Sequence, residues 1–365
     1  MWYKLENIEE VDSPSLVIYK DRVKENIVTL IDSIDDVNRL RPHVKTHKSA
    51  EVTQMMLHAG ISKFKCATIA EAEMLATVGA KDILLAHQPV GPKMQRLLTL
   101  IQQFPSVHFS TIVDDKDIAR SISDCALSYH QVIDVYIDLN VGMNRTGIVA
   151  EDAYALYQFL TTLKGLQVVG LHAYDGHLRD TDLALRKQRC DEAFLKVQQL
   201  QQQIENENGI KLVIVAGGTP TYSIHSQRPI IECSPGTFIY WDKGYEQILQ
   251  EQHYLHAALV ITRVVSIPLP GTICVDLGHK AIASENPLQQ RVFFLNAPDL
   301  VPTGHSEEHM VFKTSHENYK VGDVLYGIPY HVCPTIALHD RAGVAEDHRV
   351  TAYWQTRSRN RRITV

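Results

Sequence analysis

The chain has no run of basic residues, no stretch approaching about 18 uninterrupted apolar residues, no Cys-x-x-Cys pair and no low-complexity segment. Each absence removes a class. With 36 Lys and Arg against 42 Asp and Glu and a net charge of −6, no nucleic-acid partner is expected. Without a long apolar run, no membrane partner is expected either. The N-terminal residues are acidic where a secretory leader needs basic and then apolar residues. The six cysteines (66, 125, 190, 233, 274 and 333) are scattered rather than set in a disulfide framework. Both features point to a reducing, cytoplasmic setting. No internal repeat shows. What remains is an ordinary globular composition, 45% apolar and 21% charged, over 365 residues. That length suits two domains, or one barrel with an addition.

Hydrophobic periodicity divides the chain in two. A short strand is expected at 15–19 and a helix at about 21–34, where Val23, Ile27, Leu30, Ile31 and Ile34 recur at helical spacing. Strands then alternate with helices. The strands are expected at 40–45, 63–67, 82–86, 107–113, 132–139, 167–174, 211–216 and 229–233. The helices between them are expected at 70–78, 94–103, 116–126, 150–163 and 182–207. Eight such strands give a (β/α)8 TIM barrel, an α/β fold over about residues 20–245. Beyond Tyr240 short apolar runs punctuated by turn residues read as a second, C-terminal β-domain, 246–365, which residues 1–19 join. Its strands are expected at 257–268, 272–277, 290–295, 309–312, 323–326 and 348–354.

Barrel enzymes carry their chemistry at the C-terminal ends of the strands. Lys45 closes the first, in Arg41-Pro-His43-Val-Lys45. Alternation puts Arg41, His43 and Lys45 on one face, where neighbouring positive charge and partial burial favour the neutral amine that attacks an aldehyde. The plain alternative is a solvated strand end. Strand five runs into Asp138-Leu-Asn-Val-Gly-Met-Asn-Arg145-Thr-Gly147, whose Arg145 suits a carboxylate or phosphate unless the loop is simply a turn. Strand six ends in His172-Ala-Tyr174-Asp-Gly-His177, more polar than a core requires. Strands seven and eight end in Gly217-Gly218-Thr219 and Ser234-Pro-Gly236-Thr237, where glycine backbone and threonine hydroxyls can cradle a phosphate at the usual barrel phosphate site. A lysine plus two such loops fits a phosphorylated aldehyde, which pyridoxal 5′-phosphate is. In the β-domain His331 and Cys333 share one side of an extended segment and suit a divalent metal, zinc before manganese; a buried cysteine beside a satisfied histidine is the plain alternative. The 305–309 cluster, His-Ser-Glu-Glu-His, reads as a solvated loop or as lining of the same site. Thr68-x-x-Glu71 reads as a capping box.

Taken together, these residues make the chain resemble the fold type III pyridoxal-phosphate enzymes related to alanine racemase. Within that group it is most similar to the metal-activated branch, the D-threonine aldolases and eukaryotic-type D-serine dehydratases. The resemblance spans the chain through RPHVKTHK (41–48), DLNVGMNRTG (138–147), HAYDGH (172–177), GGTPT (217–221), SPGTF (234–238), VDLGHK (275–280), SEEH (306–309) and HVCPT (331–335). It implies that Lys45 carries the cofactor, that Gly217, Gly218, Thr219, Gly236 and Thr237 hold its phosphate, and that His331 and Cys333 bind the metal. It also implies a homodimer acting on a small D-amino acid. Alanine racemases have an arginine facing the pyridine nitrogen where this chain has Ser234, which implies a neutral environment there, with Tyr174 near. His43 and Arg145 complete the cofactor set. For elimination from a D-3-hydroxy amino acid the base is Lys45; for retro-aldol cleavage it is His172, His177 or a metal-bound hydroxide. An amino-acid racemase and a non-catalytic cofactor-binding protein are the alternatives.

Overall fold

The computed structural model describes residues 1–315 and 318–365. The chain forms two compact units. One comprises Ile31–Lys45, Thr53–Gly236 and Asn360–Val365, the other Met1–Leu30, Thr46–Val52 and Thr237–Arg359. Strands are numbered along the chain, β1 being Ser15–Tyr19.

The first unit is α/β. Its sheet comprises β2 (Lys63–Cys66), β3 (Asp82–Leu85), β4 (His108–Val113), β5 (Ile133–Leu139), β6 (Leu166–Ala173), β7 (Val213–Ala216) and β8 (Ile231–Cys233), in that order. Every neighbouring pair is parallel. Parallel neighbours require crossovers, which helices at Ile69–Thr77, Pro92–Gln103, Lys116–Ser128, Ala150–Leu160 and Leu183–Asn208 supply. Their starts follow local chemistry. Thr68 accepts from Glu71 N–H at 3.1 Å while the Glu71 carboxylate reaches back to Ala67 N–H at 2.6 Å, the expected capping box. Asp115 and Asp182 cap the Lys116 and Leu183 helices. Leu84, Ile112, Tyr136 and Val215 project from four strands into one cluster inside the curl.

The sheet has seven regular strands, not the eight expected. Residues 40–45 make only single bridges, Leu40 to Cys233 of β8 and His43 to Lys65 of β2. Arg41 N–H donates to Cys233 O, Val44 N–H to Lys65 O, and Lys65 N–H to Pro42 O. Pro42 has no N–H to give a ladder, and the chain turns from Val44 onward. The segment therefore ties the two edge strands of the curled sheet together without forming an eighth strand, and it leaves Lys45 on a turn.

The second unit is mostly β. It comprises β9 (Ala258–Leu269), β10 (Thr272–Val275), β11 (Val292–Phe294), β12 (Val301–His305), β13 (Met310–Lys313), β14 (Val324–Pro329), β15 (Arg341–Glu346) and β16 (Arg349–Gln355). They run in the order β12-β13-β10-β9-β1-β15-β16, with β14 on β9 and β11 on β14. As the sequence suggested, β1 joins this sheet, antiparallel to β9 and parallel to β15. Tyr3, Leu5, Val17, Tyr19, Leu259, Ile261, Tyr326 and Ile328 form its core. Strands β12 and β15 were not expected: Val-Pro-Thr-Gly-His and Arg-Ala-Gly-Val-Ala-Glu carry too few large apolar residues to show a period. Among the described residues no helix is long and apolar enough to cross a membrane.

Candidate active site

In the first unit the functional residues gather round one ring. The Lys45 ammonium, the Lys65 ammonium and the Arg145 guanidinium lie 5.5, 5.5 and 5.1 Å from the centroid of Tyr174. A π-face draws cations, so the phenol is a hub that holds three positive groups at one end of the curled sheet. Lys45 N–H donates to His43 Nδ1 at 3.2 Å and His43 N–H to Pro235 O at 3.0 Å, which fixes the turn bearing the amine. The expected crowding of Lys45 by Arg41 and His43 does not form. Arg41 is buried and spends its guanidinium on Glu232 (2.7 Å) and Asp82 (2.6 and 3.1 Å), and His43 uses Nδ1 as an acceptor. Lys65 takes that place, from the middle of β2.

Beneath the ring a polar line crosses the sheet. Asp138 Oδ1 accepts from His172 Nδ1 at 2.7 Å, His172 Nε2 lies 3.4 Å from Lys65 Nζ, and Lys65 Nζ donates to Ser234 Oγ. Burial and the Lys65 charge push the His172 pKa down, so the imidazole is neutral, its Nδ1–H given to Asp138 and its Nε2 left to accept. Burial and the Lys45 charge pull Lys65 down to about 7. His172 is thus occupied on both nitrogens. His177 is exposed beside Gly142, where an added Cβ would lie 2.9 Å from its Nε2.

The two glycine loops meet at the same end. Gly236 N–H donates to Thr219 Oγ1 at 3.1 Å, and Ser234 N–H reaches the carbonyls of Ala216 and Gly217. Gly217 has φ +66°, and a Cβ on Gly218 would lie 2.7 Å from the Tyr174 ring. A side chain is excluded there because the backbone passes against the Tyr174 ring. Arg145 stands on a loop folded by Asn140, whose Oδ1 accepts from Gly142 and Asn144 N–H at 3.1 Å each.

In the second unit His331 and Cys333 converge, but not as residues of one extended segment. His331 is extended and caps a helix at Val332–Leu338, whose first N–H donates to Asp242 Oδ2 at 3.1 Å. Burial lowers the His331 pKa, yet the hydrogen bond and charge of Cys333, then Glu285 and Asp242, hold it up to about 9. His331 Nδ1 is engaged by the Glu285 carboxylate, so Nε2 is the nitrogen that could take a metal, with a carboxylate behind the ring. Cys333 Sγ lies 3.2 Å from Thr46 Oγ1 and 3.8 Å from Thr237 Oγ1. An imidazole and a cysteine sulfur are two side chains of the kind that could hold a divalent ion. The 305–309 cluster is the turn of the β12–β13 hairpin, with the His305 and His279 ring centroids 4.1 Å apart and tilted, and Glu307 and Glu308 paired with Lys280.

Two sets of residues escaped sequence reasoning. Lys65 had a faint signal, a lysine in the middle of an otherwise buried strand. Asp175, Cys190 and His225 lie far apart in sequence yet bring one ligand atom each within 4.8 Å of one another, all buried. His225 Nε2 lies 2.9 Å from Asp175 Oδ2, and Arg228 donates to His225 Nδ1. That donation fixes the proton on Nε2, so as arranged the cluster is a closed hydrogen-bond network that braces the 172–177 loop.

A family model described as alanine racemase, N-terminal domain, matches residues 18–243, and one described as a putative serine dehydratase domain matches residues 257–345. The chain is 29% identical to a D-threonine aldolase of Arthrobacter sp, over 96% of this chain and 94% of that protein. It is 26% identical to a D-threo-3-hydroxyaspartate dehydratase of Delftia sp. (strain HT23), over 89% and 92% respectively. The crystal structure of a D-threonine aldolase from Filomicrobium marinum matches with a TM-score of 0.88 at 25% identity, covering 96% of each chain.

Proposed function

We propose that this chain, which belongs to the alanine racemase N-terminal domain family, is a pyridoxal-phosphate-dependent lyase that acts on D-3-hydroxy amino acids with the help of a divalent metal. The observation that carries the reading is likeness along both units to an aldolase and a dehydratase of such substrates. Lys45 over the Tyr174 ring, with the Gly218 backbone packed against the same ring, supports it from the geometry.

In this reading Gly217, Gly218, Thr219, Gly236 and Thr237 would bind the phosphate, and Tyr174, Arg145 and His43 would hold and orient cofactor and lysine. When bound, pyridoxal phosphate supplies an electron sink for the bond broken at the substrate's Cα. The Lys45 amine would hold the cofactor by its aldehyde, and for elimination Lys45 would be the base placed for the Cα proton. For retro-aldol cleavage the proton leaves the 3-hydroxyl, and exposed His177 is the free imidazole for that task; His172, engaged by Asp138 and Lys65, acts through Lys65. His331 and Cys333 hold the ion, zinc ahead of manganese because thiolate is a soft ligand. A divalent ion, when bound, supplies Lewis acidity toward a substrate oxygen. The same reading carries a cytoplasmic homodimer with no nucleic-acid or membrane partner.

Two variants test it. Lys45→Ala should lose the yellow absorbance of the lysine-held cofactor. Cys333→Ala should keep that absorbance and lose turnover by more than about 100-fold, beyond the range of losing a second-shell partner. Full turnover in Cys333→Ala would remove the metal role, and an unchanged spectrum in Lys45→Ala would remove the lysine's.

A further inference from the structure

Lys65 is out of place by ordinary folding physics. Its side chain is 2% exposed, and its ammonium is met by a hydroxyl and an imidazole rather than by a carboxylate. Lys63, two residues earlier on the same strand, shows the conventional solution: it reaches Glu232 in an ion pair. A methionine of similar length would fill the Lys65 site without the penalty of burying a charge. A fold that retains such a cost at one end of a curled sheet, beside a candidate cofactor lysine, marks a functional position.

Its surroundings define what the charge is for. Four elements contribute to one line: Asp138 from β5, His172 from β6, Lys65 from β2 and Ser234 from the end of β8. Proton directions follow. His172 gives Nδ1–H to Asp138, so its Nε2 can only accept, and the hydrogen that it faces is one on Lys65. Lys65 gives another hydrogen to Ser234, whose own N–H ties into the Ala216–Gly217 loop. The amine thereby shares the Tyr174 ring with Lys45.

We propose that Lys65 is a positioning residue for the cofactor, a buried charge held by Ser234 and the Asp138–His172 pair that sets the protonation of the linkage between pyridoxal phosphate and Lys45. The inference rests on the cofactor reading above and goes beyond it by assigning the electrostatic control of that linkage to a residue outside the expected site. The charged and titratable groups facing Lys65 are Lys45, Arg41, Asp138, Asp175 and His172, with Arg145 on the shared ring. Burial, then Lys45, sets its pKa at about 7, so this charge switches within the working range of an enzyme. A unit charge at such range, at an effective dielectric of about 20, moves a neighbouring pKa by about one unit.

The test is the absorbance of the holoenzyme as a function of pH for the wild type, Lys65→Met and Lys65→Arg. The wild type should show an inflection where Lys65 loses its charge, below the ordinary lysine range because burial disfavours the ammonium. Lys65→Met should lose that inflection, and the transition of the linkage itself should move up by about one pH unit. Lys65→Arg should also lose the inflection, because arginine does not titrate there, but should keep the transition where the charged wild type has it. A Lys65→Met titration that superimposes on the wild type overturns the inference while leaving Lys45 as the cofactor lysine; absorbance that survives in Lys45→Ala overturns the cofactor reading instead.

Thermal unfolding gives a second readout, independent of cofactor. With a folded pKa of about 7 against 10.5, the unfolded chain binds the extra proton between those values, so wild-type stability rises with pH across that window. Lys65→Met should therefore unfold at a higher temperature than the wild type below pH 7, with the gap closing toward pH 10.5. A Met variant that is less stable at every pH would assign Lys65 to packing and overturn the inference.

Discussion

Gly218 is the place where side-chain volume and cofactor binding meet most directly, because the space that a Cβ would need belongs to the Tyr174 ring. Gly218→Ala should push the ring aside and lift the loop from the phosphate. The expected loss is one hydrogen bond to a charged group, about 1.5 kcal/mol, or roughly a tenfold weaker affinity for pyridoxal phosphate. Equilibrium titration of the apo protein checks this, and unchanged affinity would take the phosphate away from this loop. The glycine doublet was legible in the sequence because Gly-Gly directly after a strand carries its meaning locally, and the structure has it at the end of β7. Lys65 and Arg41 were not. Which of two lysines on β2 finds Glu232, and whether Arg41 faces Lys45 or a carboxylate pair, depends on strands that are neighbours only after folding.

At the scale of the element, the two ends of the curled sheet divide the work. Lys63, Asp82 and His108 are the first residues of β2, β3 and β4, and with Asp134, Glu232 and Arg41 they form a charge cluster at the start of the strands. Arg41, almost fully buried, is its centre, and the segment that carries it ties β2 to β8. Arg41→Met should leave Asp82 and Glu232 short of a partner and cost about 3 kcal/mol, the lower end for breaking a buried pair, since His108 and Lys63 still serve them. Urea unfolding would measure the loss, and a Met variant as stable as the wild type would make the cluster ornamental. The periodicity placed every barrel strand from β2 to β8 within two residues of its observed start. It failed at residues 40–45, where Pro42 withholds a donor, and at His331–Cys333, where Asp242, distant in sequence, caps a helix that the local pattern does not announce.

At the scale of the whole molecule, the change from alternating helices and strands to short punctuated apolar runs accompanies the passage from an α/β unit to a mostly β one, with residues 46–52 grouped with the β unit and 360–365 with the α/β unit. The chemistry divides along the same lines: a lysine, an aromatic hub and two glycine loops belong to one unit, and an imidazole–thiolate pair backed by carboxylates belongs to the other. The choice between elimination and carbon–carbon cleavage turns on which proton is removed, a matter that neither periodicity nor burial encodes. The decisive measurement is to incubate the purified full chain, with pyridoxal phosphate and zinc or manganese, with D-threonine and to identify the products by NMR. The account predicts cleavage of the substrate, to glycine and acetaldehyde or to 2-oxobutanoate and ammonia, with D-serine and 3-hydroxy-D-aspartate to follow in the second case. Epimerisation at Cα without cleavage, or D-threonine and the other D-3-hydroxy amino acids recovered intact, would contradict it.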